Sequence, residues 1–128
     1  MEQELRRVYY DPELGVEACL FRGIDQGFPE HFHTYYVIGT MDRGSREVTI
    51  AGETLRLAPG ELVFFQPGEP HARRPVGEER LDWRGLHVPQ EVMERAAEAV
   101  TGRRFAPHFT PPVLPCLLYT SDAADDMQ

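Results

Sequence analysis

Residues 31–71 read HFHTYYVIGTMDRGSREVTIAGETLRLAPGELVFFQPGEPH, and this stretch decides the fold. It contains four short segments, TYYVIGT, REVTI, ETLRL and LVFF, that are rich in the apolar, aromatic and β-branched residues typical of strands. Glycine or proline stands between consecutive segments, which favours turns. The AG step between REVTI and ETLRL predicts a β-hairpin. The stretch as a whole therefore predicts short antiparallel strands joined by tight turns.

The strand pattern continues on both sides of this stretch. VEACLFR at 16–22 and LDWRGLHV at 81–88 each have the length and composition of a strand. We therefore expect strands from about residue 16 to about residue 88. Many short strands separated by Gly/Pro turns are typical of a β-sandwich or barrel.

A helical period follows the last strand, over about 90–101. Pro89 precedes it and Gly102 follows it, as is common at the two ends of a helix. One apolar stripe consists of Val92, Ala96, Ala99 and Val100. We expect this stripe to pack on the strands.

Composition bounds the class of protein. With 128 residues, 41% of them hydrophobic, the chain fits one globular domain. Its net charge of −8 argues against direct binding to the phosphates of nucleic acid. No apolar run approaches the length of a membrane span and no signal peptide is recognisable, so the expected location is the cytoplasm. In that compartment Cys19, within VEACLF, is expected to be a buried apolar residue and not half of a disulfide.

The histidines are the first candidates for chemistry. His31 and His33 would point to one side of a regular strand, and His71 follows the turn PGEP. Three imidazoles from two strand ends could line a small-molecule pocket, bind a metal ion, or be hydrogen-bonded residues at the mouth of a barrel. Tyr35 has the same parity as His31 and His33. Trp83, the one tryptophan, could stack on a ligand ring or pack in the core.

These motifs resemble those of the cupins, which are small antiparallel barrels. His31-Phe32-His33 is similar to the first cupin motif, and the Pro-Gly pairs at 59–60 and 67–68 with His71 are similar to the second. A metal-binding cupin carries a glutamate four residues after the second histidine. Val37 stands there, so the resemblance to a metal site is incomplete.

The whole stretch is more specifically similar to the N-terminal effector-binding domain of AraC-family transcription regulators. Tyr-Val-Ile-Gly at 36–39, Pro-Gly-Glu-Leu at 59–62 and Gln-Pro-Gly-Glu-Pro-His at 66–71 follow that family's order. The resemblance covers roughly residues 10 to 114. It implies a mainly β fold, namely a small antiparallel cupin barrel (a double-stranded β-helix or jelly roll) followed by one C-terminal α-helix.

The same resemblance implies a function. The chain would sense a small-molecule effector inside the barrel, with no catalytic residue and no cofactor. In the full-length protein, expected to be a homodimer, it would control DNA binding through a C-terminal helix-turn-helix domain that this chain lacks. The expected ligand-binding residues are His31, His33, Tyr35, His71 and Trp83. The alternative is a stand-alone metal-binding cupin enzyme that uses His31, His33 and His71.

Other polar residues carry weaker expectations. Arg22 and Arg84 could pair with an anionic effector only if they point inward, and most strand arginines face solvent. His87 and His108 are expected to be ordinary surface residues.

The last residues differ in character from the rest. CLLYTSDAADDMQ, residues 116–128, contains three aspartates and no basic residue. Back-translation of CLLYTSDAAD gives TGT CTC TTA TAC ACA TCT GAC GCT GCC GAC, which resembles a transposase adapter from sequencing libraries. We therefore expect a cupin-like domain over 1–115 and a non-native tail over 116–128, which would make the chain a fragment.

Overall fold

The structure, a computed structural model, describes residues 3–114. The tail expected at 116–128 lies outside these residues and stays a prediction. In chain order the elements are β1 (Leu5–Asp11), β2 (Val16–Ile24), β3 (Phe28–His31), β4 (Tyr35–Arg43), β5 (Arg46–Ile50), β6 (Glu53–Leu57), β7 (Leu62–Phe65), β8 (His71–Pro75), β9 (Leu81–Pro89), α1 (Gln90–Thr101) and β10 (Val113–Leu114). The predicted mainly β class, with one helix after β9, is confirmed over this range.

The strands form two antiparallel sheets. One has the strand order β1-β2-β9-β4-β7-β10 and the other the order β3-β8-β5-β6. The hairpin predicted from the AG step joins β5 to β6, with Ile50 paired to Glu53. Ala51 and Gly52 between them both have positive φ, the backbone that a tight two-residue hairpin turn requires.

Strands also occur where the sequence pattern predicted none. β1 and β10 lie outside the expected range 16–88, and β3 lies between the predicted strand segments VEACLFR and TYYVIGT. β1 pairs with β2 from Leu5 to Asp11, yet six of its seven residues are exposed. Because neither face of β1 is buried, its sequence lacks the alternation that identifies a strand.

The core lies between the two sheets. Strand alternation sends one set of side chains inward, and the buried cluster draws on both sheets: Cys19, Ile24, Val37, Met41, Val63, Phe65, Leu81 and Trp83 from the larger, and Val48, Ile50 and Leu57 from the smaller. Cys19 is thus a buried apolar residue, as predicted, with 4% of its surface exposed.

Trp83 explains two glycines in this core. Its indole ring lies directly over Gly39 of β4 and next to Gly85 of β9. A Cβ atom at Gly39 would overlap the ring, and one at Gly85 would lie 2.7 Å from the indole Nε1. Glycine is needed at both positions because only it leaves room for the indole, not because of its backbone freedom.

A buried arginine ties loops together beyond β5. Arg46 is 0% exposed, and burial lowers its pKa. Its Nη2 donates to the carbonyl of Ile24 at 3.0 Å, and its Nη1 donates to the carbonyls of Ser45 at 3.1 Å and Glu79 at 3.4 Å. These bonds give Arg46 a structural role at the end of the barrel that is remote from the histidines.

The predicted helix is confirmed, but its packing is not. α1 ends at Gly102, whose φ of 80° and N–H bond to the Glu98 carbonyl are typical of a helix C-terminus. None of its residues is buried, and Val100 is 85% exposed. The prediction that the apolar stripe packs on the strands is therefore wrong beyond the half-buried Val92. No helix among the described residues is long and apolar enough to span a membrane.

Candidate functional site

Three histidines meet where β3 ends and β8 begins. His31 is the last residue of β3 and pairs with His71, the first residue of β8. His33 lies in the connector to β4, where its carbonyl accepts a hydrogen bond from the N–H of Gly68 at 2.8 Å. The expectation that His31 and His33 share one regular strand is therefore wrong. Instead, a turn after β3, held by the bond from Gly68 in the β7–β8 connector, brings His33 next to His31 and His71.

The three rings form one compact cluster. One ring nitrogen from each residue lies within 4.8 Å of those of the other two. Nε2 of His31 is 3.2 Å from Nε2 of His33, and the ring centroids of His31 and His71 are 4.5 Å apart. His71 is 1% exposed and stacks on Phe65 at 3.8 Å. Among the residues that the structure describes, no carboxylate joins the cluster, and Val37, at the position of the cupin glutamate, is buried in the core.

Backbone carbonyls set the tautomers of two of these rings. Nδ1 of His31 lies 2.7 Å from the carbonyl oxygen of Pro29, and Nδ1 of His71 lies 3.1 Å from that of Glu69. A carbonyl can only accept, so each Nδ1 carries the proton and each neutral ring keeps its lone pair on Nε2. His33 can then donate its Nε2–H to Nε2 of His31. Imidazoles fixed through Nδ1 in this way are the usual arrangement of histidines that bind a metal.

The environment keeps two of the rings neutral. Burial lowers the pKa of His71 to about 4; its bond to the Glu69 carbonyl opposes this shift, and the neighbouring charges of His31, His33 and Arg73 add to it. Burial likewise lowers the pKa of His33 to about 4, with His31, His87 and Arg73 contributing. At neutral pH both residues therefore present uncharged imidazole, which can accept a hydrogen bond or bind a metal ion.

Tyr35 and His87 extend the cluster towards the surface. The Tyr35 ring stacks on His33 at 4.7 Å and lies 4.9 Å from the ring of His87. Nδ1 of His87 bonds Oε1 of Glu17 at 2.8 Å. These three side chains, with Tyr10, Gly15 and Pro89, line a hollow of about 190 Å³. His87 is thus half-buried at the rim of the cluster, and its prediction as an ordinary surface residue is wrong.

Trp83 and Arg73 lie deeper, between the sheets. Trp83 is 2% exposed, so it packs in the core, and its ring lies 4.5 Å from the guanidinium of Arg73. Arg73 is on β8 two residues after His71, and therefore on the same face. The weakly predicted arginines do not join them. Arg22 is exposed and pairs with Asp82, and Arg84 is exposed and pairs with Asp42.

Comparison with known proteins identifies the family. The family model of the AraC-like ligand binding domain matches residues 13–125. The chain belongs to this family. A curated relative, the HTH-type transcriptional regulator YbfI of Bacillus subtilis (strain 168), is 38% identical over 114 residues, which are 89% of this chain and 42% of YbfI. The chain thus spans less than half the length of that relative.

Solved structures similar to this AraC-like domain show its fold. The cupin domain of Schizosaccharomyces pombe Cnp3 matches with a TM-score of 0.61 and 14% identity, over 76% of this chain and 72% of that one. KdgF of a Halomonas species matches with a TM-score of 0.56 and 20% identity, over 70% and 84%. A conserved protein of unknown function from Streptococcus pyogenes matches with a TM-score of 0.57 and 26% identity, over 68% and 75%. The predicted cupin fold is confirmed.

The AraC-like domain brings together four of the five residues predicted to bind a ligand. His31, His33, His71 and Tyr35 converge. Trp83 lies deeper in the core, where it contacts Arg73. The sequence analysis missed three neighbours: Glu17, Arg73 and His87. Strand parity could have found two of them, because His87 is four residues after the inward Trp83 and Arg73 is two after His71.

Proposed function

We propose that the chain is the effector-sensing domain of an AraC-type regulator and that a small molecule binds at the histidine cluster. The observation that carries this proposal is the convergence of His31, His33 and His71 with Tyr35 next to a hollow at the surface. The site combines stacked rings with few, oriented polar atoms, the usual composition of a small-molecule pocket. Family membership and the relationship to YbfI support the same function.

The binding of an effector would act on DNA through linkage. An effector shifts a protein between two arrangements only as far as it binds one better than the other. We propose that the full-length regulator is a cytoplasmic homodimer, in which effector binding at this site favours one arrangement of its helix-turn-helix domains on DNA. DNA binding itself would depend on residues outside this chain, since the matched region is 42% of YbfI.

A ligand screen with matched variants tests the sensing proposal. Thermal unfolding of the purified chain would be followed with sugars, small organic acids and aromatic compounds, and hits confirmed by calorimetry. A true effector should raise the melting temperature because it binds only the folded state. His33→Ala and Tyr35→Phe should weaken that binding, and His108→Ala, at an exposed position outside the cluster, should not. Hits that bind equally to all three variants would contradict the placement of the site.

A metal-binding cupin enzyme is the second candidate function. It is favoured by one observation: the Nδ1–H groups of His31 and His71 are held by carbonyls, so both rings direct their lone pairs through Nε2, and a metal ion at His31 would replace the hydrogen bond from His33. Three imidazoles suit zinc, nickel, copper or iron. His31, His33 and His71 would hold the ion, which would supply Lewis acidity to a bound substrate, while Tyr35 and His87 would orient that substrate.

Metal analysis distinguishes the two functions. The protein would be purified without chelator and without a polyhistidine tag, and its metal content measured by mass spectrometry. A stoichiometric ion that is lost in His33→Ala and kept in His108→Ala would favour the metal site. Turnover of a substrate by that metal-loaded protein would be needed for the enzyme. Metal-free protein that still binds effectors would favour the sensor.

A further inference from the structure

Arg73 occupies an unusual position for a charged side chain. It lies inside the barrel with 8% of its surface exposed. Its guanidinium carbon is 4.4 Å from the ring centre of Phe28, 4.5 Å from that of Trp83 and 5.9 Å from that of Phe65. The planar group is thus held between aromatic rings from both sheets, which fixes its orientation.

Two of the three guanidinium nitrogens of Arg73 have no hydrogen-bond partner among the described residues. Its Nε and Nη1 are buried and have no acceptor among residues 3–114. Arg46 is also buried and its Nε also lacks a partner among these residues, but both of its Nη atoms donate to backbone carbonyls, which gives it an evident structural role. Buried charged donors without an acceptor are costly, so an unused N–H of Arg73 indicates either a missing partner or a site held ready for a ligand.

Among residues 3–114, no carboxylate acts as a counter-ion to Arg73. Burial lowers its pKa to about 10, so it remains a cation at neutral pH; the thiol of Cys19 acts against this shift and the charge of Arg46 adds to it. No carboxylate contributes. The charge of Arg73 contributes to the lowered pKa values of His33 and His71, so it lies close to both. Within the described part of the chain, Arg73 thus holds a positive charge inside the barrel, next to the histidine cluster, that no carboxylate compensates.

We propose that Arg73 is the anion-binding residue of this interior and that the effector of the domain is a small organic acid whose carboxylate bonds Arg73. A carboxylate can bond either the Nε–Nη2 edge or the Nη1–Nη2 edge of the guanidinium, so it supplies an acceptor to one of the two unpaired nitrogens. The rings of Phe28 and Trp83 suit an organic acid better than a strongly hydrated phosphate. The remainder of the acid would lie against His33 and Tyr35. This inference rests on the proposed sensing function and names its ligand class.

The sequence provides its own reporter for this binding. Trp83 is the only tryptophan of the chain, and it touches the guanidinium of Arg73. Its fluorescence would be titrated with acetate, pyruvate and benzoate, with the amides of these acids as uncharged matches, and with inorganic phosphate. EDTA in every sample would exclude a carboxylate bound to a metal at the histidines. At least one acid should cause a saturable change, with at least about tenfold weaker binding of its amide.

Two variants and one control assign the effect to Arg73. Arg73→Gln should lower the affinity for the acid by at least about tenfold, and Arg73→Lys, which keeps the charge and loses the planar fork, should lower it less. Arg74→Gln is the matched control, because Arg74 is the next residue on β8, faces solvent and pairs with Glu47. Circular dichroism would check that each variant is folded. If Arg73→Gln does not fold, the acid–amide comparison and Arg73→Lys decide.

If the acids bind, three results would overturn the inference. They are acids and amides of equal affinity, an unchanged affinity in a folded Arg73→Gln variant, and tighter binding of phosphate than of every carboxylate. An absence of any response to the acids would likewise reject it and would leave water as the partner of the orphan donors. The effector screen separates this failure from that of the sensing function. Uncharged compounds whose binding is weakened by His33→Ala would support the sensing function and reject only the proposal that the effector is an organic acid.

Discussion

Acidification should destabilise the domain through His71, and the structure gives the magnitude. The imidazole is 1% exposed, and burial lowers its pKa from 6.5 to about 4. Between these two pH values the unfolded chain binds a proton that the folded chain does not, so stability falls as the pH falls. The full pKa difference corresponds to about 3 kcal/mol, and the part lost between about pH 7 and pH 5 to about 2 kcal/mol. Above about pH 7 the effect is absent because both states are neutral.

The assay is urea unfolding followed by Trp83 fluorescence at several pH values, in the presence of EDTA. His71→Asn keeps an N–H near the position of Nδ1, which can still donate to the Glu69 carbonyl, but it cannot titrate. The variant is expected to be less stable at every pH, since it loses the stack on Phe65. Its stability should nevertheless fall by about 2 kcal/mol less than that of the wild type between pH 7 and pH 5.

A matched control and a clear negative result complete this test. His108→Asn, at an exposed position, should retain the pH dependence of the wild type. Carboxyl groups that titrate in the same range contribute equally to all three proteins and cancel in the comparison. If His71→Asn and the wild type lose the same stability on acidification, His71 is not held neutral, and the account of the cluster as uncharged imidazoles is wrong.

Three further substitutions test the packing around the site by urea unfolding followed by circular dichroism. Gly39→Ala places a methyl group against the Trp83 ring and should lower the free energy of unfolding by about 1–3 kcal/mol; an unchanged value would mean that the ring moves freely. Asp82→Asn weakens the bond that its carboxylate accepts from the Gly23 N–H at 2.9 Å and should cost about 1 kcal/mol; no cost would mean that the amide replaces the carboxylate fully. Val100→Glu, at a position 85% exposed, should change stability by less than about 0.5 kcal/mol; a larger loss would reveal a contact beyond residues 3–114.

The central part of the fold was predictable because local patterns there agree with the tertiary structure. β5 and β6 alternate in sequence because one of their faces is buried, and the AG step supplies the positive φ values of the turn. β1 was not predictable, because its partner β2 holds it through backbone pairing while its own side chains stay exposed. The prediction that the apolar stripe of α1 packs on the strands failed for a related reason. A helical period shows that one face could be buried, but not that any surface is there to bury it.

Most residues of the candidate site could be predicted from the sequence, but the contacts that bring them together could not. His31 and His33 were expected to converge through strand alternation, yet His33 is placed by the Gly68 bond to its carbonyl. No periodicity encodes that contact, since it joins two connectors far apart in sequence. Gly39, by contrast, was recognised only as part of a family motif, and the structure gives its physical reason in the volume of the Trp83 ring.

The histidine cluster could bind a metal cation and Arg73 could bind an anion. Because the two sites are neighbours, the two proposals affect each other. A metal ion at the rings of His31, His33 and His71 would add positive charge beside Arg73, which has no carboxylate partner among residues 3–114. An organic acid would relieve that charge. A carboxylate placed between Arg73 and the rings would therefore improve the site for a metal, and a metal would improve it for the acid, by the same factor. If both bind, they should do so cooperatively. If only one binds, the charge of Arg73 favours the acid.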